Sequence, residues 1–393
     1  PSVFMRQSIG FISYSQFNGG VRRIFVARST GSTFAAWGAG VQLWNPGSTS
    51  VDCFSSHGVV AKPDTTTNKD WLAVVWSEIG GAAATPTRDV RFSYSLNGGT
   101  TWRATPLQVN SGAGAGLGEQ PVIATNGSGK VYVAWRDKRI TGLAQAYVAS
   151  IDLSATTPAF SAAQVLQPNV AHASAEQITI AAEGTNVYVA WVDLRAPAKT
   201  IRVAASNDGG MTYTQQAGHT DGIVIDPDGV LSDATSPALA VASGKLLATW
   251  EDRRSGQPNI RFNRSDNAGQ SWMTSTPRVD TGTGLGAIAA YTPSVGFGQG
   301  STVFVTWRDL RSSLAAILAN ESLDGGHTWR PDAGVLRMDV DSGSPAAGAS
   351  ADSQSPYVLP AVGSNRMSVV WIDFRNASGA SGVNGNIWMR SSN

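Results

Sequence analysis

The feature that most constrains this chain is a pattern, Trp-x-Asp-x-Arg, that occurs five times at a nearly constant interval. Successive tryptophans lie 56 to 64 residues apart, and two weaker copies precede them at Trp76-Ser77-Glu78 and Tyr14-Ser15-Gln16. Self-similarity at this period is typical of one supersecondary unit copied around a ring or along a solenoid. We therefore predict one domain over residues 1–393, although the length alone would allow two or three. The five full copies begin at Trp135, Trp191, Trp250, Trp307 and Trp371.

Each full copy ends a predicted β-hairpin. In the best example an apolar run (121–124) meets a turn rich in Gly, Asn and Ser (126–129), and an alternating run (131–135) follows. Turn residues between two such runs indicate a hairpin. A third strand follows each hairpin, as at Val90–Ser95, Ala316–Ser322 and Asn386–Ser391. The remaining predicted third strands are Ala146–Ser150, Ile201–Ser206 and Ile260–Ser265.

Four third strands lead into a second motif, Ser-x-Asp/Asn-x-Gly-x-Thr/Ser-aromatic. In such a turn a short acidic or amide side chain bonds nearby backbone N–H groups, and glycine supplies a positive φ. A fourth strand then leads to the next repeat. Four antiparallel strands repeated radially predict an all-β, seven-bladed β-propeller. Its last blade has three strands unless a partner or further residues complete it. The turn-forming side chains are Asn97, Asp208, Asn267 and Asp324.

The turn motif resembles the Asp box, or BNR repeat, of the sialidase superfamily, and the resemblance covers nearly the whole chain. It implies a sialidase-like propeller, with a six-bladed sialidase-type ring as the alternative. It also implies an active site with three arginines on a substrate carboxylate, a Tyr nucleophile activated by Glu, and an Asp acid/base. The family's Arg-Ile-Pro motif has its nearest match in Phe4-Met5-Arg6-Gln7, which lacks Ile-Pro.

We expect a ligand site at the face where first strands begin and second strands end. Tyr291, Glu119 and Glu176 lie just before first strands and are the candidate catalytic residues, because a phenol nucleophile needs a carboxylate base and paired carboxylates can hydrolyse glycosides. The alternative is that both glutamates cap loop N–H groups and Tyr291 packs on a neighbouring blade. His57 and His172 are further candidates, since a His/Tyr pair could serve a polysaccharide lyase.

The arginines of the repeat are candidate ligand-binding residues. The alternative, which their recurrence favours, is a scaffold in which each Asp pairs with an Arg or a backbone group. The aromatic residues Phe54, Trp37 and Trp44 could form a sugar-stacking platform or belong to the core. The repeat arginines are Arg139, Arg195, Arg254, Arg311 and Arg375.

The composition excludes several classes of binding partner and cofactor. Lys and Arg (29) balance Asp and Glu (28), so the net charge of +1 offers no electrostatic basis for nucleic-acid binding. No stretch reaches the roughly 18 apolar residues of a membrane span. The lone Cys53 excludes an intrachain disulfide, and no close His/Cys spacing predicts a metal or another cofactor. The run 226–229 could bind calcium, although a turn is the preferred interpretation.

These observations leave three functional hypotheses. The leading one is a secreted or cell-surface propeller that recognises a glycan or another extracellular ligand on its loop face, with or without catalysis. Pro1 in place of an initiator Met fits removal of a signal peptide. The second is an exo-glycosidase acting on an acidic sugar, and the third is a structural subunit of a cell-surface assembly.

Overall fold

The computed structural model describes most of the chain, and the residues that it describes form β-strands, turns and loops with no helix. Within the described residues no helix is therefore present that could cross a membrane. The described residues are 2–6, 9–18, 20–30, 37–45, 51–64, 66–67, 69–82, 85–112, 117–139, 142–167, 174–195, 198–213, 221–226, 233–280, 289–310, 315–331, 335–339, 354–360, 367–373 and 386–391.

The strands in this described part of the chain form seven antiparallel sheets, numbered here in chain order, and most have four strands in sequence order. The first sheet comprises β1 (Ser2–Arg6), β2 (Ile9–Asn18), β3 (Val21–Arg28) and β4 (Val41–Gln42). The second comprises β5 (Asp52–Lys62), β6 (Trp71–Ala82), β7 (Thr85–Ser95) and β8 (Leu107–Gln108). The third comprises β9 (Gly118–Thr125), β10 (Lys130–Asp137), β11 (Gln145–Asp152) and β12 (Gln164–Val165). The fourth comprises β13 (Ala175–Glu183), β14 (Asn186–Asp193), β15 (Thr200–Ser206) and β16 (Ile223–Val224).

The strands of the last three sheets follow the same order, but the fifth and seventh sheets have only three strands. The fifth comprises β17 (Thr235–Ala242), β18 (Lys245–Asp252) and β19 (Asn259–Ser265), and an isolated bridge joins Arg261 to Arg278 where a fourth strand would lie. The sixth comprises β20 (Ala290–Phe297), β21 (Val303–Asp309), β22 (Ala316–Ser322) and β23 (Leu336–Arg337). The seventh comprises β24 (Gln354–Pro360), β25 (Met367–Asp373) and β26 (Asn386–Ser391).

The chain divides into two compact units, and the boundary runs through the fourth sheet. The first unit is Pro1–Trp191 with Ala204–Ile223, and the second is Val192–Val203 with Val224–Asn393. Within each unit the core lies between consecutive sheets. Trp135 and Val133 of the third sheet pack with Val75 and Phe92 of the second. In the second unit, Trp307 packs with Phe262 and other residues of the fifth sheet.

Burial on both faces explains why the sequence of the second strand in each repeat is a continuous apolar run. In β10 the residues 131–135 are all fully buried, and β14 shows the same pattern. A strand covered by a sheet on either side has no solvent face on which polar side chains would alternate. The tryptophans at the ends of these strands are the largest fully buried side chains, namely Trp76, Trp135, Trp191, Trp250 and Trp307.

The four Ser-x-Asp/Asn turns that follow third strands share one hydrogen-bond geometry. In each turn the Asp or Asn Oδ1 accepts from the backbone N–H four residues later, at 2.9 Å. The same oxygen accepts from the preceding Ser hydroxyl at 2.7 to 3.0 Å. Hydrogen bonds from the side chain and backbone of Thr212 lower the pKa of Asp208 to about 2. The turn residues are Asn97, Asp208, Asn267 and Asp324.

A donor from one sheet reaches the Ser-x-Asp turn of the next sheet. Gln164 Nε2 donates to the carbonyls of Gly210 and Met211, both at 2.9 Å. In the second unit Arg264 Nη1 donates to the Gly325 carbonyl at 2.6 Å. Gly325 has a φ of 75°, and a Cβ there would lie 1.9 Å from the Arg264 guanidinium. The backbone conformation therefore favours glycine at this turn, and a Cβ would also displace the Arg264 guanidinium from the carbonyl that it binds.

Candidate functional site

The aspartate of the Trp-x-Asp-x-Arg repeat joins the tryptophan and the arginine around it. In the third sheet the buried Asp137 accepts from Trp135 Nε1 at 2.9 Å and from the Arg139 backbone N–H at 3.0 Å. Arg139 Nη2 lies 2.5 Å from the same carboxylate, and its guanidinium also donates to the carbonyls of Asn110 and Ser111. The Arg139 side chain is only 8% exposed, so its charge faces protein groups.

Two further repeats show the same pairing. Arg195 donates through Nε to Asp193 at 2.8 Å, and Arg202 also contacts that carboxylate at 2.8 Å. Arg254 donates to Asp252 through Nε and Nη2 at 2.8 and 2.7 Å. These geometries describe a scaffold, and a ligand-binding role for these arginines stays a prediction. Arg311 and Arg375 lie outside the described residues.

A β-bulge interrupts the first strand of several sheets opposite the tryptophan. The register shifts between the first and second strands of the second, third, fifth and sixth sheets. Each bulge contains a non-glycine residue in the left-handed region, with φ between 47° and 53°. Such residues are uncommon and concentrate at functional sites. The left-handed residues at these bulges are Ser55, Gln120, Ser236 and Thr292, and Gln177 has the same conformation in the fourth sheet.

The residue just before each left-handed residue is called the pre-bulge residue here. In the register it lies opposite the residue that follows the tryptophan, called the post-tryptophan residue. The pairs are Phe54 with Ser77, Glu119 with Arg136, Thr235 with Glu251, and Tyr291 with Arg308. Tyr291 and Glu119 therefore hold equivalent positions in their sheets, as the sequence predicts.

The second sheet differs from the sequence-based alignment by two residues. The sequence aligns Ser56 and His57, which precede Gly58, with the two residues that precede proline in later repeats. In the structure Phe54 is the pre-bulge residue instead, and His57 lies beyond the bulge, opposite Val75. No proline marks the position of this bulge in the sequence. His57 is partly buried, and desolvation lowers its pKa to about 4. His172 lies outside the described residues.

Post-tryptophan residues hold the bulge of the following sheet. The Ser77 hydroxyl accepts from the Gln120 backbone N–H at 3.2 Å. In the second unit, Glu251 Oε1 accepts from the Thr292 backbone N–H at 2.8 Å, and its other oxygen accepts from the Thr235 hydroxyl at 3.2 Å. Glu251 is 5% exposed. The buried carboxylate thus fixes the left-handed backbone next to Tyr291.

Two guanidinium groups lie near the Tyr291 ring. The guanidinium carbons of Arg253 and Arg308 are each 6.0 Å from its ring centroid. Arg253 is exposed, Tyr291 and Arg308 are partly buried, and Glu251 is buried. The Tyr291 hydroxyl has no hydrogen bond to any residue that the structure describes. A phenol, two cations and a neighbouring carboxylate are therefore brought together at this bulge.

The two candidate glutamates differ in their surroundings. Glu119 Oε2 pairs with Arg88 Nη1 at 3.0 Å, and its Oε1 lies 3.6 Å from Arg136 Nη1. Glu176 is partly buried and makes no hydrogen bond or ion pair with the described part of the chain. Both belong to the first unit and Tyr291 belongs to the second, so their pairing with Tyr291 stays a prediction.

Sequence reasoning missed Glu251, Arg253 and Arg308. All three occupy the variable positions of the Trp-x-Asp-x-Arg pattern. The signal was present, because the post-tryptophan residue differs in chemistry from copy to copy while the aspartate does not. Among the described residues no cluster of three His, Cys, Asp or Glu side chains could hold a metal ion.

Comparison with known proteins supports the fold. No family model and no curated protein matches the chain. Among solved structures, the polysaccharide lyase Uly1 is 12% identical with a TM-score of 0.62, over 100% of this chain and 89% of the lyase. A prolyl endopeptidase is 15% identical with a TM-score of 0.51, over 98% of this chain and 46% of its own.

A Trypanosoma rangeli sialidase in complex with the inhibitor DANA is also similar, at 13% identity and a TM-score of 0.42. That match covers 81% of this chain and 53% of the sialidase. At these identities the similarity concerns the fold. The chain has an all-β, propeller-type fold built from antiparallel sheets of mostly four strands.

Proposed function

We propose that this chain is a secreted, seven-bladed, sialidase-like β-propeller that recognises an acidic glycan at the Tyr291 bulge. Seven sheets in chain order, with their cores between consecutive sheets, support the blade number. The four Asp-box turns support the sialidase-like type. The whole-length similarity to a polysaccharide lyase supports a carbohydrate ligand.

The observation that carries the proposal is the Tyr291 ring flanked by Arg253 and Arg308. An aromatic ring can cover the apolar face of a sugar, and its hydroxyl supplies a polar contact. A guanidinium matches a carboxylate in shape and charge and binds it through two parallel hydrogen bonds. Together they fit a sugar with a carboxylate, such as a uronate or a sialate. Because Arg253 is exposed, its guanidinium is accessible to such a ligand.

The direct test is binding of tetragalacturonate and of neutral galactotetraose, measured by isothermal titration calorimetry. We expect the wild type to prefer the acidic tetramer and Arg253→Ala to lose most of that preference. Arg103→Ala is the matched control, because Arg103 is also exposed and its guanidinium lies 5.9 Å from a tyrosine ring, that of Tyr94. Equal affinities for the two tetramers, or equal losses in both variants, would refute the site.

A second candidate function is an exo-glycosidase that acts on an acidic sugar with Tyr291 as nucleophile. The favouring observation is its hydroxyl, which has no partner among the described residues, close to a bulge that the Glu251 carboxylate holds. A phenol with a pKa near 10 needs a base to act near neutral pH. Glu251 is the nearest candidate shown by the contacts, and Glu119 and Glu176 remain the candidates proposed from the sequence.

Catalysis is tested by release of the fluorophore from an aryl α-sialoside, with Tyr291→Phe beside the wild type. The formation of unsaturated products from polygalacturonate, followed by ultraviolet absorbance, tests a lyase in the same samples. Turnover that disappears in Tyr291→Phe would establish the enzyme. Binding of tetragalacturonate without turnover would leave a recognition protein.

A further inference from the structure

We infer that Phe17, Arg22, Asp52 and Phe54, at the junction of the first and second sheets, form a second sugar subsite that takes a pyranose ring by stacking. This inference rests on the proposed glycan function and adds a site that does not require a charged sugar. All four residues belong to the first unit.

Arg22 is held rigidly at this junction. Its Nε donates to Asp52 Oδ2 at 3.0 Å, its Nη2 donates to the same oxygen at 2.6 Å, and its backbone N–H donates to Oδ1 at 2.7 Å. The guanidinium carbon lies 5.9 Å from the Phe17 ring centroid and 5.7 Å from that of Phe54. Both distances are within the range of cation–π contacts. Two rings and one carboxylate therefore fix the guanidinium from several sides.

The cluster still presents binding groups to solvent. Phe17 is 71% exposed, and the Arg22 side chain is 42% exposed. Arg22 Nη1 makes no hydrogen bond to any described residue, so two N–H donors remain for a ligand. A pyranose has an apolar C–H face, which an aromatic ring covers, and hydroxyl oxygens at its rim, which such donors bind. The cluster offers both groups side by side.

The register relates this cluster to the charged junction next to it. Arg22 pairs with Phe17 across the β2–β3 hairpin, as Arg88 pairs with Ile79 across the β6–β7 hairpin. Arg88 meets the pre-bulge residue of the next sheet, Glu119, at 3.0 Å. Arg22 likewise meets the next pre-bulge residue, but this is an aromatic ring, Phe54. At equivalent places the pre-bulge residue is thus a carboxylate that pairs with the arginine at one junction and an aromatic ring that packs on it at the other.

The size of the apolar surface favours a sugar over a protein. Phe17 is the only large apolar side chain described in the first two sheets that is more than half exposed. A stable protein interface buries on the order of 800 Å² on each partner around several packed anchors. One ring beside a fixed guanidinium and a carboxylate is too small for that role, and matches one or two sugar units. Trp44, an alternative platform in the sequence, packs against the core instead.

The test compares Phe17→Ala and Phe17→Trp with the wild type, using galactotetraose and tetragalacturonate in saturation-transfer NMR and calorimetry. Because the stacking energy does not depend on the sugar's charge, we expect Phe17→Ala to weaken binding of both tetramers by about threefold to tenfold. Phe17→Trp restores the ring and should restore binding. Phe17 is a surface residue, so the variants should keep the wild-type unfolding temperature.

The outcomes separate the two proposals. If Arg253→Ala lowers acidic-sugar binding and Phe17→Ala changes nothing, the second subsite is refuted and the Tyr291 site stands. If Phe17→Ala weakens binding and Arg253→Ala does not, the Tyr291 site is refuted and the second subsite stands. Lack of binding by the wild type to either tetramer would overturn both. A change of oligomeric state in Phe17→Ala would make the ring an interface between copies and would overturn the subsite.

Discussion

Replacement of Asp137 by alanine should destabilise the third sheet severely. Asp137 is fully buried and accepts from the Trp135 indole, from the Arg139 backbone and from the Arg139 guanidinium. An unsatisfied buried donor costs about 1–3 kcal/mol. Removing one partner of a buried ion pair costs about 3–5 kcal/mol. These losses overlap, because the Asn110 and Ser111 carbonyls still accept from Arg139, so we expect a total of about 4 kcal/mol.

This loss is a large share of the roughly 5–15 kcal/mol that stabilises a folded domain. Unfolding of the whole chain need not be a single transition, since it contains two compact units. The appropriate assay is native-state hydrogen exchange read by mass spectrometry, with attention to peptides from β9 to β11. Protection factors in these peptides should fall by about three orders of magnitude in Asp137→Ala, as expected for about 4 kcal/mol.

Two variants control for the loss of a carboxylate. Asp137→Asn keeps an acceptor for the indole and backbone donors but removes the charge, so it should lie between alanine and the wild type. Asp266→Ala removes a carboxylate that pairs with Arg264 and is 53% exposed, and a surface pair contributes about 0–1 kcal/mol. If Asp137→Ala costs no more than Asp266→Ala, the repeat does not act as scaffold and its arginines should be tested for ligand binding.

Three further predictions concern single side chains. Glu251→Ala should weaken tetragalacturonate binding in calorimetry. Glu251→Gln should largely retain that binding, because the amide oxygen can still accept from the Thr292 N–H. Equal affinities of the two variants for tetragalacturonate would contradict a positioning role. Asp208→Asn should change stability in urea by less than about 0.5 kcal/mol, since Asn97 occupies the same turn position in the second sheet, whereas Asp208→Ala should cost about 1–3 kcal/mol. His57 has a folded pKa of about 4, below the unfolded value of about 6.5, so its contribution is present above pH 6.5 and is lost as the pH falls toward 4. The lost contribution to the free energy of unfolding is on the order of 1–3 kcal/mol, so His57→Gln should flatten the curve of stability against pH in this window. An unchanged slope would refute the role of His57.

The strand order could be predicted from the sequence because the repeat carries local signals. The third strands predicted at Ala316–Ser322 and Asn386–Ser391 have these bounds in the structure. The strand predicted at Val90–Ser95 starts earlier, at Thr85, because its hairpin partner extends through Ala82. Hairpin length beyond the apolar run depends on pairing between two polar segments, and no local pattern in either segment reveals it.

The candidate site was predictable only in part. The pre-bulge position of Tyr291 followed from its place before a proline in the repeat, but of its two guanidinium neighbours Arg308 lies in β21 and Arg253 just after β18. No sequence pattern marked Phe17 and Arg22 as candidate site residues, because their partner Phe54 lies in the following sheet. Contacts between repeats depend on which side chain occupies the facing position, and this cannot be derived from one repeat alone.

The side-chain hydrogen bonds from one sheet to the turn of the next affect how the number of repeats can change during evolution. Gln164 lies in the repeat before the turn that contains Gly210, and Arg264 lies in the repeat before the turn that contains Gly325. In both contacts the donor belongs to one repeat and the acceptor to the next, as in a head-to-tail interface between subunits. A gene duplication that copies two consecutive repeats together brings both halves of this contact with it. The number of repeats can then change in pairs without a new interface, and the stability of each repeat is tied to its nearest neighbour.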